Sequence, residues 1–282
     1  MKKKNKISKK TIIIFIVLAI IGLIYFIPLE WVTASSLRPS GSLYEYTEPL
    51  NMETFIPVNI TFENYVNIFT QQHFGRALMN SLIVACSTVL LTLLVSSMAG
   101  FALAKFDFPG KKIVFAIVLI TFMVPFESIV IPLYLTVSAL GFINTYAALI
   151  LPGVANGLAI FLFNQFFSEI PTEILEAARI DGASWFRIYR KIVIPLSVPA
   201  IITVIVMVFM FQWNSLFWPL VATHSTRLEV VQVAISANRM TEATHWANLF
   251  SSAVAGSIPP MVLFFFLQKY FVRGISGTGL KS

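Results

Sequence analysis

The acidic side chains of Glu173, Glu176 and Asp181 stand in the stretch from Ser168 to Lys191 beside the alanines Ala177 and Ala178, which carry almost no side chain. Ile174, Ala177, Ala178 and Asp181 lie three or four residues apart, as do Glu173, Glu176 and Ile180, so each set falls on one face of a helix. Small residues let a helix approach a partner surface closely. A part-exposed acid such as Glu176 then forms a short charge-assisted bond with an arginine on that surface. The chemistry is a grip on another protein: a docking knob that enters a groove.

Chemistry of other kinds is missing from the sequence. No glycine-rich loop with Gly-Lys-Ser/Thr occurs, so the chain does not hydrolyse ATP by that route. His73, His224 and His245 stand far apart and give no metal-ligand spacing, so no metal is expected. Cys86 is the one cysteine, which leaves no disulfide framework, and it reads as a small buried apolar residue. The net charge of +7 is not a nucleic-acid signature, because the charges fall between apolar runs and do not gather on one basic face.

The knob needs elements to hold it. Pro171 suits the first turn of a helix, with Glu173 favourable at its positive end. Asp181-Gly182 is a break, since glycine takes the left-handed conformation that ends helices. Ser184 caps a second short helix, which closes on Arg190 and Lys191.

The rest of the chain is built for lipid. Of 282 residues 57% are apolar and 12% charged, where soluble domains sit near about 45–50% and 25%. A helix crossing the hydrocarbon core needs about 20 apolar residues. Apolar runs, charge-free except that 112–134 starts on Lys112 and holds Glu127, predict crossings over 11–29, 77–104, 112–134, 146–167, the first two-thirds of 192–226, and within 243–268. The stretch 128–168 is too long for one crossing, and Leu140-Gly141-Phe142-Ile143-Asn144 supplies the turn that divides it. The fold class expected is all-α and integral to the membrane, with six transmembrane helices. A first unit, 1–76, carries one helix and an outer segment whose Pro39, Gly41, Pro49 and Pro57 suit short helices on the outer face. The second, 77–282, is the core, with the loop at 168–191 and a short tail.

Lysine and arginine concentrate on the cytoplasmic side of membrane proteins. With both termini inside, the inner loops hold the lysines at 2, 3, 4, 6, 9 and 10, then Lys105, Lys111 and Lys112, then Arg179, Arg187, Arg190 and Lys191, then Lys269, Arg273 and Lys281. Only Arg38, Arg76, Arg227 and Arg239 stand outside. The first run has a second reading as a cleaved signal, but a signal core is about 7–15 residues and this run is longer.

Polar groups inside spans face protein or water. The candidates for a solute path are Asn80, Glu127, Asn156, Gln212 and Asn214, with Ser81, Ser87, Thr88, Asn164 and Gln165 beside them. Glu127 follows Pro125 and reads either as a path residue or as one reaching interfacial water. Trp213, Trp218 and Trp246 fit an outer aromatic belt. Gly153 and Gly157 have the small-residue spacing of close helix packing.

The pattern Glu176-Ala177-Ala178, Gly182, Ile192, Ile194-Pro195 resembles the signature of permease subunits of binding-protein-dependent ABC importers, with isoleucine for its usual leucine at 194. The segments NSLIVA (80–85), AGFALAKFDFPGK (99–111), MVPFESIVIPLYL (123–135), FQWNSLFWPLV (211–221) and the tail RGISGTGLKS resemble the carbohydrate-uptake branch, in particular the second permease of maltose-type systems. The resemblance implies the ABC type I importer permease fold in a bacterial plasma membrane. It implies that Glu176, Ala177, Ala178, Asp181 and Gly182 couple to an ATPase dimer in the cytoplasm. It further implies a second homologous permease as heterodimer partner and an extracellular solute-binding protein. No cofactor is expected on this chain; ATP belongs to the partner, and the chain is no enzyme. The cargo implied is a sugar or oligosaccharide. Glycerol-phosphate, peptide and amino acid are the alternatives within ABC permeases, and an ion-coupled secondary transporter is the alternative outside them.

Overall fold

Proline and charge cut the apolar sequence into helices, and the computed structural model shows where each cut falls. It describes residues 9–42, 45, 52–239 and 246–278, with side chains to Tyr270. The lysines at 2, 3, 4 and 6, Pro49, His245, and the side chains of the tail after Phe271 lie outside the described residues.

Among those residues the chain is helical with no strand. The helices in order are α1 (Lys9–Ser36), α2 (Glu63–Thr70), α3 (Phe74–Lys105), α4 (Lys111–Met123), α5 (Phe126–Ala139), α6 (Tyr146–Val154), α7 (Gly157–Ser168), α8 (Thr172–Ile180), α9 (Trp185–Ile188), α10 (Ile194–Leu196), α11 (Val198–Trp213), α12 (Phe217–Ala222), α13 (Val231–Ala237) and α14 (Trp246–Thr278). One turn of π-helix, Tyr189–Val193, joins α9 to α10. Four stretches are long and apolar enough to cross a membrane: α1, α3, α6 with α7, and Trp246–Tyr270. Two bent pairs raise this to six if each pair is one span.

The expected single helix over 112–134 is therefore corrected to a bent pair. α4 and α5 meet at 103°. Pro125 has no N–H to continue the ladder, and it pushes Val124 into extended backbone at ψ 123°. Thirteen residues of α4 reach about 20 Å, short of the roughly 30 Å hydrocarbon core. The fifth apolar run also differs. Its helix starts at Trp185, seven residues early, and bends by 79° where Ser197 separates α10 from α11. Pro199 in the first turn of α11 supplies the reason, as its ring excludes the preceding turn.

The chain divides into two compact units, 1–74 with 234–257, and 75–233 with 258–282. In the first, the carboxamide of Asn64 donates to the carbonyls of Ser36 (3.0 Å) and Arg38 (2.6 Å). The buried Arg38 guanidinium donates to the carbonyls of Thr54 (2.9 Å) and Glu53. Ser251 donates to Ser36 O at 3.1 Å, and Trp31 meets Phe250 edge to face at 5.2 Å. The described residues of 37–73 thus fold on side-chain bonds to carbonyls, with α2 the helix of two turns among them.

The second unit is organised by α3. Its inward face is mostly small or polar along its middle, where Asn80, Ser81, Ala85, Thr88, Thr92, Ser96 and Ser97 are buried beside Val84 and Val89, with Phe101 and Leu103 buried near the Lys105 end. Its outward face holds Met79, Ile83, Leu90, Leu94 and Met98, all exposed. Cys86 lies on that outward face, which corrects its reading as buried. Large apolar side chains outside and small polar ones inside suit a helix packed in lipid, where association comes from close contact and hydrogen bonds.

Glycine makes the closest contacts. A Cβ on Gly157 would strike Thr121 Oγ1 and stand 2.9 Å from the Val118 carbonyl, so α4 and α7 touch at backbone distance. A Cβ on Gly153 would lie 2.7 Å from Gln212 Nε2 and 2.9 Å from Thr88 Cγ2, where α3, α6 and α11 meet. The small-residue reading of both positions holds. Trp213 and Trp218 are buried, not belt residues: Trp213 stacks on Phe209, and the Trp218 indole donates to Ala148 O at 2.8 Å.

Candidate functional site

The loop at 168–191 folds as α8 and α9. Gly182 between them has φ +79°, the left-handed conformation that ends α8. Its N–H donates to Arg179 O at 3.0 Å. Ser184 caps α9 by accepting from Arg187 N at 3.3 Å. Pro171 sits at the cap position of α8, one place ahead of the expected first turn.

The knob has a tethered face and a free face. On the tethered side Leu175 is buried, and the indole of Trp185 packs on Phe106 with centroids 4.8 Å apart. Phe101 joins this cluster and touches Phe167 and Tyr189. Arg179 lies over the Trp185 ring at 5.3 Å and donates to Ala183 O at 2.8 Å, closing the turn between α8 and α9. Lys105, the last residue of α3, donates from Nζ to Ile170 O at 2.6 Å. Ser97 and Tyr189 share a hydroxyl hydrogen bond of 2.7 Å. The knob is thus braced to the end of α3 by aromatic packing and these polar ties, and to α11 by the continuous path through the π-turn and α10.

The free side carries Glu173, Glu176, Ala177, Asp181 and Gly182, all exposed, with Ala178 partly covered. Among them stand exposed apolar groups that water disfavours: Ile180 at 87% and Phe186 at 63%, with Ile174 beside them. An exposed apolar cluster ringed by charge marks a protein-docking surface. The sequence singles out the acids and alanines as docking candidates; the structure adds Ile180 and Phe186 to the same exposed face. Their signal lies in the sequence too, since both are large apolar residues in a charged loop.

The path candidates separate. Asn80 is buried and fully engaged: its Nδ2 donates to the carbonyls of Arg227 (2.9 Å) and Glu229 (2.8 Å), and its Oδ1 accepts from the Tyr146 hydroxyl (2.6 Å). Gln212 donates to Thr88 Oγ1 at 3.0 Å, at the Gly153 crossing. Asn214 ends α11, donates to Met210 O at 2.9 Å and accepts from Gln232 at 3.4 Å. Asn156 caps α7 by accepting from Ala159 N at 2.9 Å. Glu127 is exposed in the first turn of α5, where a negative charge suits the helix dipole. Asn80 and Gln212 thus bond to partners far away in sequence, and Asn156 and Glu127 serve the starts of their own helices. Burial pushes the Glu229 carboxyl above the usual carboxylate range. Asn80→Ala would leave two loop carbonyls and a phenol short of partners. It is expected to lower stability by about 2–3 kcal/mol, read from thermal unfolding of the solubilised chain.

Comparison with known proteins places this architecture. The chain is 35% identical over 272 residues to the arabinooligosaccharides transport system permease protein AraQ of Halalkalibacterium halodurans, covering 93% of this chain and 94% of that one. It is 31% identical over 261 residues to the trehalose transport system permease protein SugB of Mycobacterium tuberculosis, covering 90% and 92%. Its fold matches a chain from the crystal structure of a bacterial ABC transporter involved in the import of the acidic polysaccharide alginate, with TM-score 0.81, 24% identity, and coverage of 94% and 98%. The family described as binding-protein-dependent transport system inner membrane component matches residues 93–277. The chain belongs to that family of inner membrane transport components.

Proposed function

We propose that this chain forms half of the translocation pathway for a sugar or oligosaccharide in an ATP-driven importer. Its partners are a second homologous permease, a cytoplasmic ATPase dimer that binds the ATP, and an extracellular solute-binding protein. The observation that carries this reading is the knob: a loop with an exposed acidic-and-apolar face, braced on its other face to the end of α3 and joined through the π-turn and α10 to α11. Such an object transmits motion. When the ATPase closes, α8 moves as a lever, and α3 and α11 turn with it between inward-open and outward-open states. The coupling residues are Glu176, Ala177, Ala178, Asp181 and Gly182, joined by Ile180 and Phe186.

Six crossings with both ends in the cytoplasm agree with the distribution of lysine and arginine, each bent pair then counting as one crossing. The knob then faces the cytoplasm. Asn80, Gln212 and Asn214 stand along the inner faces of α3 and α11 and border the solute path; Asn156 and Glu127 shape helix starts along it. The relatives' names, arabinooligosaccharides and trehalose, support a carbohydrate cargo for this chain.

Reconstitution tests the reading against an ion-coupled carrier. In proteoliposomes holding the chain with its co-purified permease and ATPase, and with the solute-binding protein outside, uptake of radiolabelled arabinotriose, trehalose or glucuronate is expected to require ATP on the ATPase side. Omission of the ATPase is expected to reduce uptake to background. Uptake by this chain alone, driven by a proton or sodium gradient, overturns the proposal.

A further inference from the structure

Outside the knob, the second unit holds a widely open cavity of about 460 Å³ lined by Arg76, Asn80, Tyr146 and Arg227. It lies at the Arg76 end of α3, and the knob is tied to the Lys105 end; 32 helical residues, about 48 Å, separate the two ends. Both arginines are exposed. Among the described residues the one ion pair is Lys111 with Asp107, so neither guanidinium faces a bound carboxylate. Two of the four cations expected on the outer side thus line one cavity, and neither lies within ion-pair distance of a carboxylate among the described residues.

The floor of the cavity is pre-organised. Asn80, 3% exposed, spends its amide on the Arg227 and Glu229 carbonyls and its oxygen on the Tyr146 hydroxyl. Ser225 Oγ accepts from Arg227 N at 3.2 Å, and Ser81 Oγ accepts from Val231 N at 2.7 Å. The backbone that carries Arg227 is therefore fixed from 225 to 231, and Arg76 projects from the rigid first turn of α3. Guanidinium groups present planar donors matched to carboxylate and phosphate. The volume falls in the range of small-ligand sites, about 300–1,000 Å³.

We propose that this cavity is an anion-binding site for the solute, which makes the cargo class an acidic sugar, a sugar carboxylate or sugar phosphate. Arg76 and Arg227 hold the anionic group, and Asn80 is a positioning residue that sets Arg227. The proposal rests on the importer reading for its placement at the solute's side of entry.

The full-length chain in phosphatidylcholine nanodiscs is titrated with D-glucuronate, inorganic phosphate and D-glucose, with binding read by saturation-transfer NMR. Glucuronate and phosphate are expected to compete for one site and to weaken with added salt, and glucose is expected not to displace them. Arg76→Gln and Arg227→Gln are each expected to weaken glucuronate binding about tenfold, and the two together to remove it. Arg227→Lys is expected to retain part of it, and circular dichroism checks that each variant keeps its helicity. Glucuronate binding that survives in the double variant overturns the site, as does equal competition by glucose. Binding of a poly-glutamate peptide to the arginines without binding of glucuronate also overturns it, in favour of protein docking. The assay contains no ATPase, so its failure leaves the importer reading untouched. Conversely, loss of ATP dependence in the uptake assay sinks that reading while glucuronate binding stands.

Discussion

Gly157→Leu is expected to leave almost no folded chain in the membrane. The Cβ of any side chain at 157 meets Thr121 Oγ1, and the Val118 carbonyl lies 2.9 Å away. Neither neighbour gives way readily. Thr121 donates to that same carbonyl at 2.6 Å, so hydroxyl and backbone are locked together. Overpacking a core side chain typically costs about 1–3 kcal/mol. Here a helix backbone has to move, and α4 has only 13 residues and packs chiefly on α7. Gly157→Ala already carries the contact and is expected to lower the thermal midpoint measurably; Leu adds branching atoms in the same place. A Cβ on Gly22 in α1 would meet nothing within 4 Å, so Gly22→Leu serves as the matched control and is expected to keep yield and midpoint. A double-mutant cycle sharpens the result. Thr121→Ala removes the hydroxyl that the new Cβ meets, so Gly157→Ala is expected to be milder in that background. Equal yields and midpoints for Gly157→Leu and the starting chain would show that α4 and α7 do not meet in this way.

The same contact shows how far the sequence is legible. Local signals read well, because they join a side chain to its own helix. Gly182 at the end of α8, the Ser184 cap and the ends of α3 within three residues all belong to this class. Spacing singles out Gly153 and Gly157 but does not say which helices they admit. The bends are harder to read. Pro125 signals a kink, yet a turn of 103° depends on Val124 and Pro125 both being extended, and on tertiary packing that receives α5 afterwards. Glu127 changes meaning with that bend: inside a straight span it is a buried charge, and at a helix start it is a favourable one. The cavity at Arg76 and Arg227 is out of reach of the sequence, since its members are scattered from 76 to 227 and only the fold gathers them. Trp218 misleads for the same reason. Its belt-like position along the sequence says nothing of Ala148, 70 residues away, whose carbonyl takes its indole proton.

Ile180→Asp is expected to abolish ATP-driven uptake without reducing the amount of folded chain. Ile180 is 87% exposed, so the change removes no internal contact and cannot unfold the knob by loss of packing. What it removes is the gain on docking. Burying an isoleucine side chain contributes roughly 1.5–3 kcal/mol, and a buried unpaired carboxylate opposes docking further. ATPase retention on the chain should therefore fall by about tenfold to a hundredfold, measured by co-purification at fixed detergent concentration. Trp185→Ala probes the other face. Its ring packs on Phe106 at 4.8 Å and carries Arg179 above it, so its loss loosens the brace while the grip keeps Glu176, Ile180 and Phe186. The ATPase is then expected to bind and hydrolyse ATP while uptake falls, since the lever turns without moving α3. Grip and brace thus give different signatures: Ile180→Asp loses binding and uptake together, and Trp185→Ala loses uptake alone. Unchanged uptake in Ile180→Asp would remove the free face of α8 from the coupling path. Parallel loss of binding and uptake in both variants would mean that the knob is a docking pad and that the motion enters the helices elsewhere.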